Sequence, residues 1–312
     1  MHRFGIGGQR RGAVRFAHSF AVIATLLSVT TPIFAAVTLD VQRIREASGE
    51  KATATPDGVV RLGWTRTDVR VMVDGAPLAP AAGLGSWAAF APTSNGAMVM
   101  GDTVVFEDEV DAAMDAAFAN GLSVTAIHNH FFYDTPKVYF MHVGGEGKAE
   151  DLASAVKAVW GAIRAVRAAH APPETGFGGP KPTAGHVSSD AVAKIVGKPA
   201  TDSLGIAKVT IGRTVTMSGM DVGASMGVTT WIAFAGSDAL ATADGDIVMS
   251  ADEIQPVLKA LRKAHFHVVA LHNHMIDTVP ALYFTHFWGK GSAAELARGF
   301  RDVLDAQAGA KH

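Results

Sequence analysis

Apolar and polar positions along this chain fall into an order of elements that occurs twice. Asp40-Val-Gln-Arg-Ile-Arg-Glu-Ala-Ser48 places apolar residues at helical spacing and stops at Gly49, which predicts a short opening helix. Strands are predicted at Val69–Val73, around Trp87 and at Ala97–Met100, where apolar and β-branched residues concentrate. A helix is predicted over Glu107–Ala119, strands over Leu122–Ile127 and Val138–Val143, and a closing helix over Lys148–Val166. The second series opens at Asp190–Val196 before Gly197. It continues through strands at Lys208–Ile211, around Trp231 and at Asp246–Met249. A helix over Ala251–Ala264, strands over Val268–Leu271 and Leu282–Phe287, and a helix over Ala293–Leu304 complete it. Ser250, with Glu253 three residues on, is a capping box for the second middle helix. Phe106 stands at the matching point of the first series and cannot cap.

The recurrence is a duplication. A shift of 144 residues places Trp87-Ala-Ala-Phe90 on Trp231-Ile-Ala-Phe234, Gly101-Asp102 on Gly245-Asp246 and Asp108-Glu109 on Asp252-Glu253. The same shift places His128-Asn129-His130 on His272-Asn273-His274, Pro136 on Pro280, Tyr139-Phe140 on Tyr283-Phe284, and His142 on His286. Gaps are not needed. The fold class expected is therefore α+β, an internal duplication of a β-α-β-β-α unit packed as a pseudo-twofold pair with mainly antiparallel sheets. The first repeat is read as 37–169 and the second as 188–312. The Pro- and Gly-rich stretch between them, 170–187, reads as a linker.

Composition narrows the chemistry. The chain has 312 residues, 48% hydrophobic and 18% charged, which excludes a disordered or fibrous protein. The 27 cations and 29 acids give a formal charge of -2, so charge offers no reason to expect nucleic-acid binding. With Cys 0, thiolate metal sites, Fe–S clusters, disulfides and cysteine nucleophiles are excluded. Residues 1–36 carry Arg3, Arg10, Arg11 and Arg15, no acid, then an apolar run from Phe20 to Phe34 and the small pair Ala35-Ala36. That order is a secretory signal, and the run is short for a membrane span of ~20 residues. A signal anchor is the alternative, and Arg10-Arg11 is a poor match to a twin-arginine signal. The expected location is periplasmic or secreted, with no stable membrane anchor once the signal is cleaved.

The histidines carry the candidate chemistry. Residues two apart on a strand share a face, so His128 with His130, and His272 with His274, are expected to point together. The next predicted strand carries His142 or His286. If the two strands form a hairpin, three imidazoles meet at the ~2.0–2.1 Å that Zn–N bonds need. A three-His site leaves a fourth position for water, which zinc would acidify toward a pKa of ~7. The expected cofactor is a divalent metal, zinc first. Copper is the alternative, raised by Met98, Met100, Met141, Met217, Met220, Met226, Met249 and Met275, although core packing explains most of these better. A metal-free polar network with Asn129 and Asn273 is the competing reading of the histidines. The contiguous His-Asn-His is not the scattered HNH nuclease motif.

Asp102 and Asp246 are candidates for a fourth ligand or a group orienting water, against a plainer role as turn residues after Gly101 and Gly245. Glu146, just past His142, is a candidate general base, but Lys290 occupies its place in the second copy. Glu109 and Glu253 fit a helix first turn, where an acid complements the dipole. His265 and His267 occur only in the second copy and read as edge residues or accessory metal contacts. No Walker loop, Rossmann glycine pattern or Gly-x-Ser-x-Gly elbow is present.

Ser86-Trp87-Ala-Ala-Phe90, Met98-Val-Met-Gly-Asp102, Glu107-Asp-Glu-Val110, Val124-Thr-Ala-Ile-His-Asn-His130 and Tyr139-Phe-Met-His142 together resemble the LppY/LpqO family of bacterial exported proteins. The resemblance spans nearly all of the chain after residue 36. It implies an exported, duplicated, histidine-bearing protein and no particular substrate. The family takes its name from lipoproteins, whereas this chain has no cysteine to lipidate. The reading from sequence is an exported metal-binding protein, with zinc-dependent hydrolysis or lyase chemistry as its activity. The rival is a non-catalytic envelope protein that binds metal ions or cell-wall glycan or peptide. The substrate, small or from the cell envelope, and the oligomeric state are left open.

Overall fold

The computed structural model describes residues 38–310; the signal read over 1–36 lies outside them. The first repeat runs α1 (Val41–Ser48), β1 (Ala52–Ala54), β2 (Val60–Thr65), β3 (Met72–Val73), β4 (Ala76–Pro77), α2 (Pro80–Gly83), β5 (Gly85–Thr93) and β6 (Gly96–Phe106). It closes with α3 (Val110–Ala119), β7 (Ser123–His128), β8 (Asp134–Thr135), β9 (Val138–Gly147) and α4 (Ala149–Ala169). The second runs α5 (Ser189–Val196), β10 (Ala200–Ser203), β11 (Ile206–Gly212), β12 (Val215–Met217), β13 (Met220–Val222), β14 (Thr229–Gly236) and β15 (Ala241–Met249). It ends with α6 (Ala251–Lys263), β16 (His267–His272), β17 (Thr278–Val279), β18 (Tyr283–Gly291) and α7 (Ala293–Gly309). The fold is α+β and duplicated.

Local chemistry sets the helix ends. The Asp40 carboxylate accepts from the backbone N–H of Gln42 (2.9 Å) and Arg43 (3.1 Å), and Gly49 closes α1 in the left-handed region at φ 71°. Ser188 and Gly197 (φ 70°) do the same for α5. At α6 the capping box forms: Glu253 accepts from the Ser250 N–H at 2.9 Å. The first copy reaches the same end without a serine. Glu109 accepts from the Phe106 N–H at 2.9 Å, and α3 starts at Val110 rather than Glu107.

Both glutamates do more than answer a helix dipole. Glu109 is fully buried and takes both terminal nitrogens of buried Arg66 at 2.8 Å and Arg167 Nε at 2.7 Å. Its counterpart Glu253 accepts from Arg213 at 2.5 Å and from Gln307 at 3.0 Å. Such pairing offsets the cost of burying a carboxylate.

One antiparallel sheet of twelve strands runs through both repeats, in the order β1-β2-β5-β6-β9-β7-β16-β18-β15-β14-β11-β10. The halves join at one bridge, Ile127 to Leu271. Those residues are 144 apart, so the join lies on the pseudo-twofold. Two three-stranded sheets, β4-β3-β8 and β13-β12-β17, are separate from the large one. Alternation along β9 shows how the faces are used. Met141 and Val143 enter the main core beneath the helices with Trp160, Phe234, Phe287 and Phe300. Val138 and Phe140 enter a smaller cluster on the other face with Val104 and Phe106. Phe284 sits in the equivalent cluster of the second repeat with Val248 and Leu282. Burying each such large side chain contributes roughly 1.5–3 kcal/mol.

Two sequence expectations are corrected. Val69–Val73 is not a strand of the large sheet; only Met72–Val73 is extended, within a small sheet. Val69 and Val71 are spaced by burial under an irregular segment, not by a ladder. The principal strand there is β2, the counterpart of β11. Asp102 and Asp246 are not turn residues either, since both lie inside long strands and are buried. Gly245 is small for a packing reason: a Cβ there would fall 2.3 Å from the Phe287 ring and 2.7 Å from the Trp231 carbonyl.

Candidate metal centre

The strands carry only part of each histidine motif. β7 ends at His128 and β16 at His272, so His130 and His274 lie in the following loops, not on the strand. Asn129 and Asn273 shape those loops. Each side-chain amide donates two residues ahead, to the carbonyl of Phe131 at 3.0 Å and of Met275 at 3.1 Å. The folded-back loop lays His130 flat on Phe140 (centroids 3.4 Å, planes 8° apart) and His274 flat on Phe284 (3.5 Å, 9°). The next histidine stands diagonal to the first, not opposite it, because His128 pairs with Phe140 and His142 with Ala126. Diagonal Cα atoms are roughly 7–8 Å apart, which imidazoles can span. The His128–His142 and His272–His286 ring centroids are 5.1 and 5.0 Å apart.

In the second repeat the three rings converge. His272, His274 and His286 each offer a ligand atom, and these atoms lie within 4.8 Å of one another. Tetrahedral zinc ligands at ~2.0–2.1 Å are about 3.4 Å apart, so small side-chain rotations close the set. His272 Nδ1 is 3.4 Å from the Asn273 carbonyl, where it can donate and leave Nε2 as the metal-facing acceptor. Burial lowers the His274 pKa, and its neighbours His272 and His286 lower it further, so the ring is held neutral as a ligand must be. Asp246 stands beside the trio, with Oδ2 3.5 Å from His274 Nε2. Its buried Oδ1 has no hydrogen-bond partner among the described residues. Burial raises the Asp246 pKa, opposed by His286 and His272. This trio could hold a metal ion.

The first repeat differs in the contact between its rings. His142 Nε2 and His128 Nε2 are 3.0 Å apart, a hydrogen bond in which one ring donates to the other. His130 is 5.1 Å from His128 by ring centroid, and the three do not form a set as tight as the second trio. Burial lowers the His130 pKa, as do His128 and His142 against Asp102. Asp102 Oδ1 lies 3.8 Å from His142 Nε2 and, like its counterpart, lacks a hydrogen-bond partner among the described residues.

Glu146 is not brought to the histidines. It is exposed on β9 opposite Met98, whereas His142 faces Asp102, four residues away and so about 13 Å along the strand. Tyr139 and Tyr283 pack toward the helix side. Met141 and Met249 are in the main core, and Met217 and Met275 pack on the second repeat's small cluster, but Met98, Met100, Met220 and Met226 are exposed, so core packing accounts for only half of these methionines. His267, read as an edge residue, makes the fuller contacts. Its Nδ1 is 2.6 Å from Asp111 Oδ2, and Phe177 of the linker stacks on its ring at 3.6 Å. Sequence reasoning missed Asp111 and Phe177, because neither belongs to the pattern that repeats.

A family described as Domain of Unknown Function (DUF1259) matches residues 42–162 and 190–306, once in each half. The chain belongs to this family. Its two copies cover both histidine groups, and its description names no activity. No curated protein matches the chain. The crystal structure of a trimeric bacterial microcompartment shell protein PduB aligns with 82% of this chain and 93% of that one, at 11% identity and a TM-score of 0.20.

Proposed function

We propose that this is an exported metal-binding protein whose second repeat holds one divalent ion, zinc, on His272, His274 and His286. The observation that carries the reading is the convergence of three ligand atoms within 4.8 Å. Asp246 supports it, since its Oδ2 lies 3.5 Å from His274 Nε2 and would accept from a water in the ion's fourth position. Zinc held by three imidazoles supplies a Lewis acid and a water of lowered pKa, the requirements of a hydrolase or lyase. Asp246 would orient that water; Glu146 belongs to the first repeat, and Lys290 holds its position in the second. Export rests on the order of charge, apolar run and small residues over 1–36, and on the resemblance to the LppY/LpqO proteins. The substrate class is a small molecule or a cell-envelope component.

A second reading has its own support. In the first repeat Asp102 stands at the rings, while Glu146, the candidate general base whose place Lys290 takes in the second copy, points elsewhere. That favours binding without turnover. A thermal-shift series across Zn, Cu, Mn, Fe and Ni, with and without chelator, followed by a hydrolase panel on the zinc-loaded protein, separates the readings. Stabilisation by zinc with turnover supports catalysis, and stabilisation without turnover supports a binder. No response to any metal removes both.

A further inference from the structure

The pseudo-twofold makes two equivalent junctions where a helix of one repeat meets the strand edge of the other. One is sealed. Gln255 of α6 accepts from the Val124 N–H at 3.1 Å and donates to the Val124 carbonyl at 2.7 Å, acting as a substitute for a neighbouring strand. The residue 144 positions earlier is Asp111 of α3, and a carboxylate cannot donate to a carbonyl. It pairs with His267 and with Arg262 (2.7 Å). This junction holds a cavity of about 740 Å³, within the range of small-molecule sites.

The linker gives that cavity an aromatic wall. Phe177 remains 53% exposed, yet it stacks on His267 and lies 5.3 Å from the parallel ring of Trp288. Glycine 144 stands where the first repeat would carry the counterpart of Trp288, so the wall exists once. The lining is also acidic. Asp108, Asp244 and Glu107 line the cavity, and Asp244 sits directly across the ladder from Trp288. The Asp108 side chain is only 9% exposed. One of its oxygens takes Arg167 and the Glu174 N–H, while Oδ1 has no hydrogen-bond partner among the described residues. Burial raises the Glu107 pKa, and Asp134 and Asp108 add to that against Lys137. Flat rings favour a flat body and attract cations, and an acidic lining favours positive charge.

We propose that this cavity binds an organic cation, a protonated amine on a flat aromatic or apolar body. His286 also lines it, so the cavity abuts the second histidine group, but the inference needs no metal there. Calorimetric titration of the full chain with benzylamine tests it, in chelator and again with one equivalent of zinc. Benzyl alcohol and benzoate serve as the neutral and anionic counterparts. Saturable benzylamine binding is expected in both conditions, about tenfold or more tighter than benzyl alcohol, with none for benzoate. Phe177→Ala and Asp244→Asn, both at exposed positions, should each weaken it about tenfold, as should Asp108→Asn if that variant folds. Equal affinity for amine and alcohol, no benzylamine binding, or indifference to both Phe177→Ala and Asp244→Asn overturns the proposal. Binding only in the presence of zinc assigns the amine to the histidine group and overturns it as well.

Discussion

The two repeats carry the same histidines at matching positions and arrange them differently. In the second, the three ligand atoms lie within 4.8 Å of one another; in the first, two rings hydrogen-bond each other at 3.0 Å and the three do not form an equally tight set. The junctions diverge in the same sense, with Gln255 closing one and Asp111 leaving the other hollow. The scaffold is common to both repeats, and unmatched residues such as Gln255 and Asp111 distinguish the two junctions. The lesson is that matched residues in a repeat show where a site can be, while unmatched neighbours decide whether it is one.

The largest effect expected concerns the buried glutamates. Glu109→Ala strands Arg66 without its buried partner and should cost about 3–5 kcal/mol in denaturant unfolding, or abolish the soluble fold. Glu253→Ala should cost clearly less, because its partner Arg213 is 24% exposed and can reach water. Equal losses would show that the two networks bear equal weight. Next in size is the glycine before each strand aspartate. Gly245→Ala meets the Phe287 ring and should lose roughly 1–3 kcal/mol by thermal melting, whereas at Gly101 the nearest atoms are 3.1 Å away and the loss should be smaller. A larger loss at Gly101 would reverse the packing comparison.

A finer contrast appears in acid. Asp68 adds a second carboxylate to Arg66 at 2.8 Å, and the corresponding position after Arg213 is Val215. Burial works against the Asp68 charge, but the Arg66 hydrogen bond and charge outweigh it and hold the carboxyl below its ordinary value. A depressed folded pKa gives stability that is present above the ordinary value near 3.8 and is lost as pH falls through the folded one. Asp68→Asn should therefore reduce stability at pH 7 slightly and flatten its decline below about pH 4. An unchanged acid limb would show that Asp68 is not coupled to folding.

Much of this was legible before the structure. Apolar spacing and the Asp40…Gly49 and Ser250…Glu253 signals located the helices, because capping chemistry is local. The 144-residue shift located the duplication and the paired histidines. The rest depended on distant contacts. Val69 and Val71 alternate like a strand because they are buried beneath a small sheet, and sequence period cannot tell that burial from a ladder. His130 and His274 reach their neighbours from a loop held by Asn129 and Asn273, not from the strand face that a two-residue spacing implies. Glu146 is near His142 in sequence, but four residues of extended chain carry it away. Asp111, Phe177 and Gln255 act across the junction, between segments far apart in the chain, and no local pattern marks them.

Elemental analysis of purified protein after metal-replete expression puts the central claim to its most direct trial, comparing the parent chain with His272→Ala and His128→Ala. The account predicts about one zinc per chain in the parent, retained in His128→Ala and lost in His272→Ala. Metal content that is absent from the parent, or unchanged by His272→Ala, would contradict it.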